Sequence, residues 1–258
     1  MAATNKSQFD QFIVHGNGPE ISTYLLQPHF FNANQRYYIS LRKATLPYTW
    51  KNITSANNIV SFDYGDGSIS SVTIPEGTFT FKSLTSYLKN LVKENKQGAV
   101  EDSDFSITMR EYNGRCKINV GTNGLKFDTG SLGPLLGYPA DLLIVDNSAE
   151  PTGEVDLDPI KNIHLECNLV EANAVWVSNQ ANAALIPKPV LKTFIMPAVC
   201  PYSTFEIAGQ CDSYSVPLGT YSVTNVTIKF TDPNGVLIPF TGPSSATVQI
   251  ASEAIVSN

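Results

Sequence analysis

The sequence is short of charge. Only 40 of its 258 residues are Asp, Glu, Lys or Arg, too few for a coiled coil or a set of long exposed helices. Its three histidines, His15, His29 and His164, show neither the H-x-x-x-H nor the H-E-x-x-H spacing of a metal site. The four cysteines, Cys116, Cys167, Cys200 and Cys211, include no C-x-x-C pair, which removes the usual zinc patterns. There is no Walker loop, no G-x-G-x-x-G, no G-x-S-x-G elbow and no EF-hand loop. No apolar run approaches the ~20 residues of a membrane helix, and the polar start Met1–Ser7 lacks the apolar core of a secretion signal. The expected product is therefore cytosolic in synthesis, with reduced thiols, although Cys200 and Cys211 are close enough in sequence to bridge across a turn under oxidising conditions. In that setting the sequons at Asn5, Asn52 and Asn225 read as chance matches. Excess positive charge is missing as well. The net charge of −6 opposes a nucleic-acid binder, and from Asp128 to Asp158 seven acidic residues occur with no basic one.

What is present points to β-structure. Ser and Thr together number 44 and Asn 21, with 42% apolar and 10% aromatic residues, a mixture that favours strands and frequent turns over disorder. Tyr37, Ile39 and Leu41 alternate with Tyr38, Ser40 and Arg42, and Ile163, Leu165, Cys167 and Leu169 alternate with His164, Glu166 and Asn168. Further strands are expected at Ile59–Phe62, Ile69–Ile74, Phe105–Arg110, Cys116–Val120, Leu125–Phe127, Tyr221–Phe230, Val236–Phe240 and Ala246–Ile250. One amphipathic helix starts near Ser83, where Leu84, Tyr87, Leu88, Leu91 and Val92 form a single apolar stripe and Gly98 supplies a stop. Leu132–Tyr138 reads as a short helical turn plugging one end of a sandwich. With no internal repeat of about 20–50 residues, the expected fold is all-β: an antiparallel β-sandwich of single jelly-roll type with one inserted amphipathic helix. Residues 1–20 read as an N-terminal arm or leading strand outside the main core, and 21–258 as the jelly-roll domain. The other division is two β-domains split near the acidic segment.

Candidate chemistry is sparse. His164 reads as a solvent-facing strand histidine, and Cys211 has no base nearby in sequence. Glu154, Asp156 and Asp158 fall on one side of an extended segment and are the only calcium candidates, though a solvated loop is the plainer reading. Lys82, Lys89, Lys93 and Lys96 line the polar side of the helix without a glycine loop or aromatics to make a phosphate site. No catalytic, cofactor or metal residue is assigned, and a binding or building role is favoured over catalysis. A distant alternative is a hydrolase using His164.

Several segments in order carry a resemblance. They are Tyr37–Leu41, Thr45–Ile53 with Asn57-Asn58, Val72–Phe79 directly ahead of the helix, Leu132–Tyr138, Ile160–Cys167, and Val226–Gly235 with Ile238–Phe240. The series, spanning roughly residues 36–250, resembles jelly-roll capsid proteins, especially minor or penton-type ones, of double-stranded DNA viruses in the adenovirus, virophage and Polinton-like (adintovirus-like) lineage. The resemblance implies a virion shell or vertex protein, often a pentamer, and carries over no catalytic residue. The length favours one decorated jelly roll over the double roll of hexon-type subunits.

The implied partners are copies of the chain itself, as a pentamer, and other capsid proteins. Phe9, Phe12 and Ile13 of the arm are the expected tether to neighbours. With one Lys set against Asp10 and Glu20 in residues 1–20, that arm is expected to make no direct contact with nucleic acid, which a basic tail would need. The alternative is a host-attachment spike or glycan-binding head that meets a host receptor through loops such as Thr49–Asn57, supported if Tyr48 and Trp50 are exposed, although burial is the commoner outcome for such aromatics.

Overall fold

The computed structural model describes residues 9–32, 34–63, 69–95, 105–110, 112–121, 124–126, 131–144, 149–158, 160–171, 175–179, 184–196, 203–208 and 215–254. The chain opens with strands β1 (Phe9–Asn17), β2 (Glu20–Phe30), β3 (Gln35–Pro47), β4 (Ile59–Asp63) and β5 (Ile69–Thr73). Helix α1 (Phe81–Asn95) follows, then β6 (Ser106–Arg110), β7 (Arg115–Asn119), β8 (Gly124–Lys126), a 3-10 turn (Pro134–Leu136) and β9 (Leu143–Ile144). The last third holds β10 (Asn162–Cys167), β11 (Val175–Asn179), β12 (Ala184–Lys188), β13 (Val190–Ile195) and β14 (Thr204–Ala208). It closes with β15 (Val216–Pro217), β16 (Ser222–Thr231) and β17 (Pro243–Ala254). These elements form two compact units, Met1–Trp50 with Ile160–Asn258, and Lys51–Pro159, in place of one continuous domain over 21–258.

The first unit is a jelly roll. One sheet runs β1-β17-β3-β14, with β15 also on β3, and the other runs β13-β10-β16-β2. Every pairing within these sheets is antiparallel. Counting only those eight main strands in chain order, the sheets read 1-8-3-6 and 5-4-7-2, the order that two interlocked Greek keys produce. Inward residues from both sheets build one core, with Val14, Ile39, Leu46, Trp50, Leu165, Val226, Ile228, Phe230 and Val248 among its buried members. Residues alternate in and out along β3 until Arg42, where the register against β17 slips between Thr247 and Val248. That bulge moves the inward set from Ile39 and Leu41 to Ala44 and Leu46.

The segment read as an arm is, from Phe9 onward, the first strand of this fold. Phe9–Asn17 pairs with β17 over nine successive residues, from Phe9 opposite Ala251 to Asn17 opposite Pro243. Val14 is fully buried and Phe12 packs on the core, while Ile13 points outward. The mixture of polar and apolar residues that read as a loose arm is the two-faced pattern of a sheet-edge strand.

The second unit has its own core. Strands β5-β4-β8-β9 form a sheet, β6 and β7 a hairpin, and α1 lays Leu84, Leu88, Leu91 and Val92 on the shared apolar interior. The helix starts two residues before Ser83 because Thr80 caps it: Ser83 N–H donates to Thr80 Oγ1 (3.0 Å) and Thr80 N–H donates to Ser83 Oγ (2.9 Å). Asn52 fastens the strand-like entry. Its Nδ2 donates to the carbonyls of Phe79 (2.7 Å) and Leu157 (2.8 Å), and its Oδ1 accepts from Phe79 N–H (2.8 Å). The turn at Leu132–Tyr138 is present, but Leu132, Leu136 and Tyr138 plug this unit's core instead of an end of the sandwich.

Residues 149–158 of the acidic segment form a docked strap, not a solvated loop. Thr152 and Gly153 N–H both donate to Gly137 O at 2.9 Å, Val155 N–H to Gly114 O, and Asp156 N–H to Leu135 O. Val155 and Leu157 pack on the core. Glu150 spends its charge on Arg110 (2.7 Å) and Lys117 (3.7 Å). Gly137 makes the docking possible: its φ is +81°, and a Cβ there would run into Gly153 O.

Two outcomes follow from these placements. Val14→Ser should lower unfolding free energy by about 2–3 kcal/mol through lost burial and an unsatisfied hydroxyl, while Ile13→Ser leaves it within about 0.5 kcal/mol. Urea titrations that gave equal losses would contradict the strand assignment. Gly137→Ala should cost about 2 kcal/mol or more, read as a lowered denaturation midpoint.

Candidate interaction surface

The residues singled out for chemistry do not converge. Among the described residues no group of three or more His, Cys, Asp or Glu could hold a metal ion. Glu154 lies against Gly114, and Asp156 Oδ1 accepts from the Asp158 backbone N–H at 3.3 Å. The helix lysines Lys82 and Lys93 are exposed, and Lys96 lies outside the described residues. Cys116 and Cys167 are buried free thiols, and burial pushes each up to about 12, which removes them as nucleophiles. Cys200 and Cys211, and with them the question of a bridge, lie outside the described residues, as does Asn5.

One further expectation is corrected, and the attachment alternative loses its aromatics. Tyr48 and Trp50 are core residues: their rings meet edge to face at 4.4 Å, and Trp50 is 0% exposed. The Thr49–Asn57 loop that carries them is tied down, with Thr49 Oγ1 donating to Thr241 O (2.9 Å), Lys51 paired to Glu76 (2.7 Å) and Asn57 Oδ1 capping Thr54 N–H. Asn52 is buried, so its sequon is closed to modification. His164, expected to face solvent, is 6% exposed on β10. Its Nδ1 has no hydrogen-bond partner, and among the described residues no hydroxyl or thiol is bonded to its ring, so it has no nucleophile to activate. Burial holds its pKa below the ordinary imidazole value, helped by Lys188 and opposed by Glu166 and Asp232.

What the jelly-roll unit does present is a nearly neutral flank on the outer face of β2 and the neighbouring part of β16, which ends at β10, where His164 and Thr231 are buried. Ser22 Oγ and Thr227 Oγ1 are 2.9 Å apart. Asn168 Oδ1 accepts from Thr227 N–H (2.8 Å), and Asn168 Nδ2 donates to Asn225 O (3.3 Å). Thr231 Oγ1 donates to Glu166 (2.9 Å), and Lys229 pairs with Glu20 (3.3 Å). Hydroxyl and amide groups thus hold one another in place, so the face needs little reorganisation to meet another surface.

The flank ends at β2, an edge strand with an apolar rim. Between the pairs Val223–His29 and Asn225–Tyr24, residues 25–28 stand opposite Thr224 alone, a wide bulge that lifts the edge out of the sheet plane. Leu25 packs inward. Leu26 is fully exposed, Tyr24 is 78% and Phe30 73% exposed, and Tyr221 stands beside Phe30 at the same end. Four large apolar or aromatic side chains on one rim exceed the scattered exposure of an isolated chain. On the neighbouring edge strand β1, Ile13 is exposed as well, Phe12 turns inward against His29 (6.3 Å), and Asp10 reaches His29 Nε2 at 3.4 Å. Of the proposed tether residues, Ile13 alone is displayed, and the side chain of Phe9 lies outside the described residues. The β2 rim escaped the sequence reading because Glu20–Phe30 interrupts its alternation at the bulge.

No protein-family model matches the sequence, and no curated protein is similar to it in sequence. Solved structures are similar to it in fold. The mavirus penton protein superposes with a TM-score of 0.54 at 9% identity, over 95% of this chain and 100% of that one. A chain of the Sputnik virophage particle gives a TM-score of 0.48 at 12% identity, over 98% and 99% of the two chains. At these identities the likeness is one of fold.

The His164 environment makes stability depend on pH. With the native pKa below 6.5, the unfolded chain binds more protons in the window just under 6.5, so the contribution is intact above it and is lost as pH falls through it. Urea midpoints should therefore drop more between about pH 7.5 and about pH 5.5 for the wild type than for His164→Gln. Equal drops would show that His164 is not the group responsible.

Proposed function

We propose that this chain is a structural subunit of a virus shell, of penton type, which associates with copies of itself and packs against other capsid proteins in the virion. The observation that carries the reading is the pairing of a single jelly roll with an outward-facing flank whose apolar rim stands on a bulged edge strand. A jelly roll suits a shell because its strands close into a wedge with short, covered edges. A rim on one edge that meets a different surface of the next copy makes a head-to-tail contact, which closes into a ring when the rotation permits. A ring of five is the number the sequence resemblance implies. The fold likeness to a penton protein supports the same reading.

The remaining properties agree with it. A subunit that tiles needs flanks free of strong single-sign charge, and the β2–β16–β10 face carries one exposed ion pair among hydroxyls and amides. The net charge of −6 favours contact with protein over contact with a genome. The role is a non-catalytic one, with attachment to neighbours as its work.

The test is the size of the purified chain by light scattering after gel filtration, alone and with the major shell protein. The wild type should form closed oligomers or join the shell protein. Leu26→Asp with Phe30→Asp should shift it to monomer with an unchanged circular dichroism spectrum, because both side chains are exposed in the single chain. A wild type that stays monomeric at every attainable concentration and ignores shell protein would contradict the proposal.

A further inference from the structure

Beside the rim, the jelly-roll unit carries a concave pocket of about 290 Å³ whose lining includes Arg36, Tyr38, Glu171, Pro217, Leu218 and Tyr221. We infer that it is a binding site for a neutral sugar ring, a hexopyranose taken free or as the terminal residue of a glycan. This goes beyond the shell role and does not depend on it.

The floor is rigid. Three chain segments meet there and are joined by backbone hydrogen bonds: Leu218 N–H to Tyr37 O (2.9 Å), Glu171 N–H to Pro217 O (3.1 Å) and Gly219 N–H to Leu169 O (2.8 Å). Gly219 allows the approach, since a Cβ there would lie 2.9 Å from Glu171 Cα and 3.2 Å from Val170 O. Phe31 N–H donates to Tyr221 O (2.9 Å) and anchors the fourth side. A pocket braced in this way is formed before any ligand arrives.

Its polar groups are unspent. Tyr37 already donates to Gln35 and accepts from Asn32 N–H, and Thr220 bonds both polar backbone groups of Ser222. Among the described residues, the side chains of Arg36, Tyr38, Glu171 and Tyr221 make no hydrogen bond or ion pair, and they border one cavity. They comprise one obligate donor, one obligate acceptor and two phenols that do either. Sugar hydroxyls are themselves both donors and acceptors, so a ring edge can engage all four. The tyrosine rings with Pro217 and Leu218 supply an apolar wall for the opposite, C–H-bearing face. One cation and one anion leave the lining without net charge, so a singly charged ligand gains no net Coulomb attraction there to offset its desolvation. That argues for a neutral sugar over sialic acid, a phosphate or a charged peptide.

The test is saturation-transfer NMR on the full chain with glucose, galactose, mannose, N-acetylglucosamine, N-acetylgalactosamine and N-acetylneuraminic acid, and with the methyl glycosides of the neutral five. At least one neutral sugar should receive saturation at its ring C–H protons. Arg36→Ala, Glu171→Gln and Tyr221→Ala should each weaken binding about tenfold, while Tyr112→Ser, on the other unit, leaves it unchanged. Methyl glycosides binding as well as free sugars would identify a terminal glycan residue as the ligand, and reducing sugars binding alone would identify a free one. Both support the site. Silence from every neutral sugar with folded protein, binding of the acidic sugar alone, or binding that survives all three substitutions would overturn it. Loss of sugar binding with intact rings would remove the pocket and leave the shell proposal standing, and the reverse result would do the opposite.

Discussion

The last strand holds the jelly roll shut. β17 lies between β1 and β3, so the first strand, the last strand and the third are locked edge to edge through a continuous antiparallel ladder. From Ser245 to Ala251 it has a registered neighbour on both sides, broken only by the bulge against β3 at Thr247/Val248, which is what burying a strand requires. The β1–β17 contact joins residues more than 220 positions apart, from Phe9 opposite Ala251 to Asn17 opposite Pro243, so its loop-closure entropy is high. Once closed, it fixes which faces of β1, β3 and β17 point inward. That choice in turn sets Val14 inside and Ile13 outside.

This constraint explains how so weakly charged a chain stays folded while keeping a surface fit for contact. The inner faces are filled by branched and aromatic side chains from both sheets. Outside, Ser, Thr and Asn pair among themselves across β2, β16 and β10. Such a flank loses little when it is covered by another protein, because its groups are already satisfied. The bulge on β2 then adds apolar area at one rim and at the same time spoils that edge as a template for uncontrolled strand pairing.

The alternation of single strands was readable from the sequence, and so was the helix stripe at Leu84, Leu88, Leu91 and Val92. The all-β class came through for the same reason: two-residue periodicity reports a half-buried sheet whatever its topology. Partition into two units was read only as the second division, because the strands of the insertion between Trp50 and Ile160 have the same periodicity as those outside it. β1 was hidden by its polar outer residues, and its core position depends on a partner at the far end of the chain. His164 was misplaced for a related cause, since periodicity gives a face but not what lies over it. The rim at Tyr24, Leu26 and Phe30 lies on one strand whose alternation the bulge interrupts, and the pocket at Arg36, Glu171 and Tyr221 is assembled from distant segments and leaves no mark in local pattern.

The central claim is that the β2 side of the jelly roll is where one copy meets the next. Hydrogen exchange measured by mass spectrometry, comparing the assembled chain with its monomer, addresses it directly. The account predicts slowed exchange in peptides covering 22–30 and 221–227, with the second unit's sheet unchanged. Slowing confined to the β13 or β14 edge, or none in either β2 or β16, would contradict it.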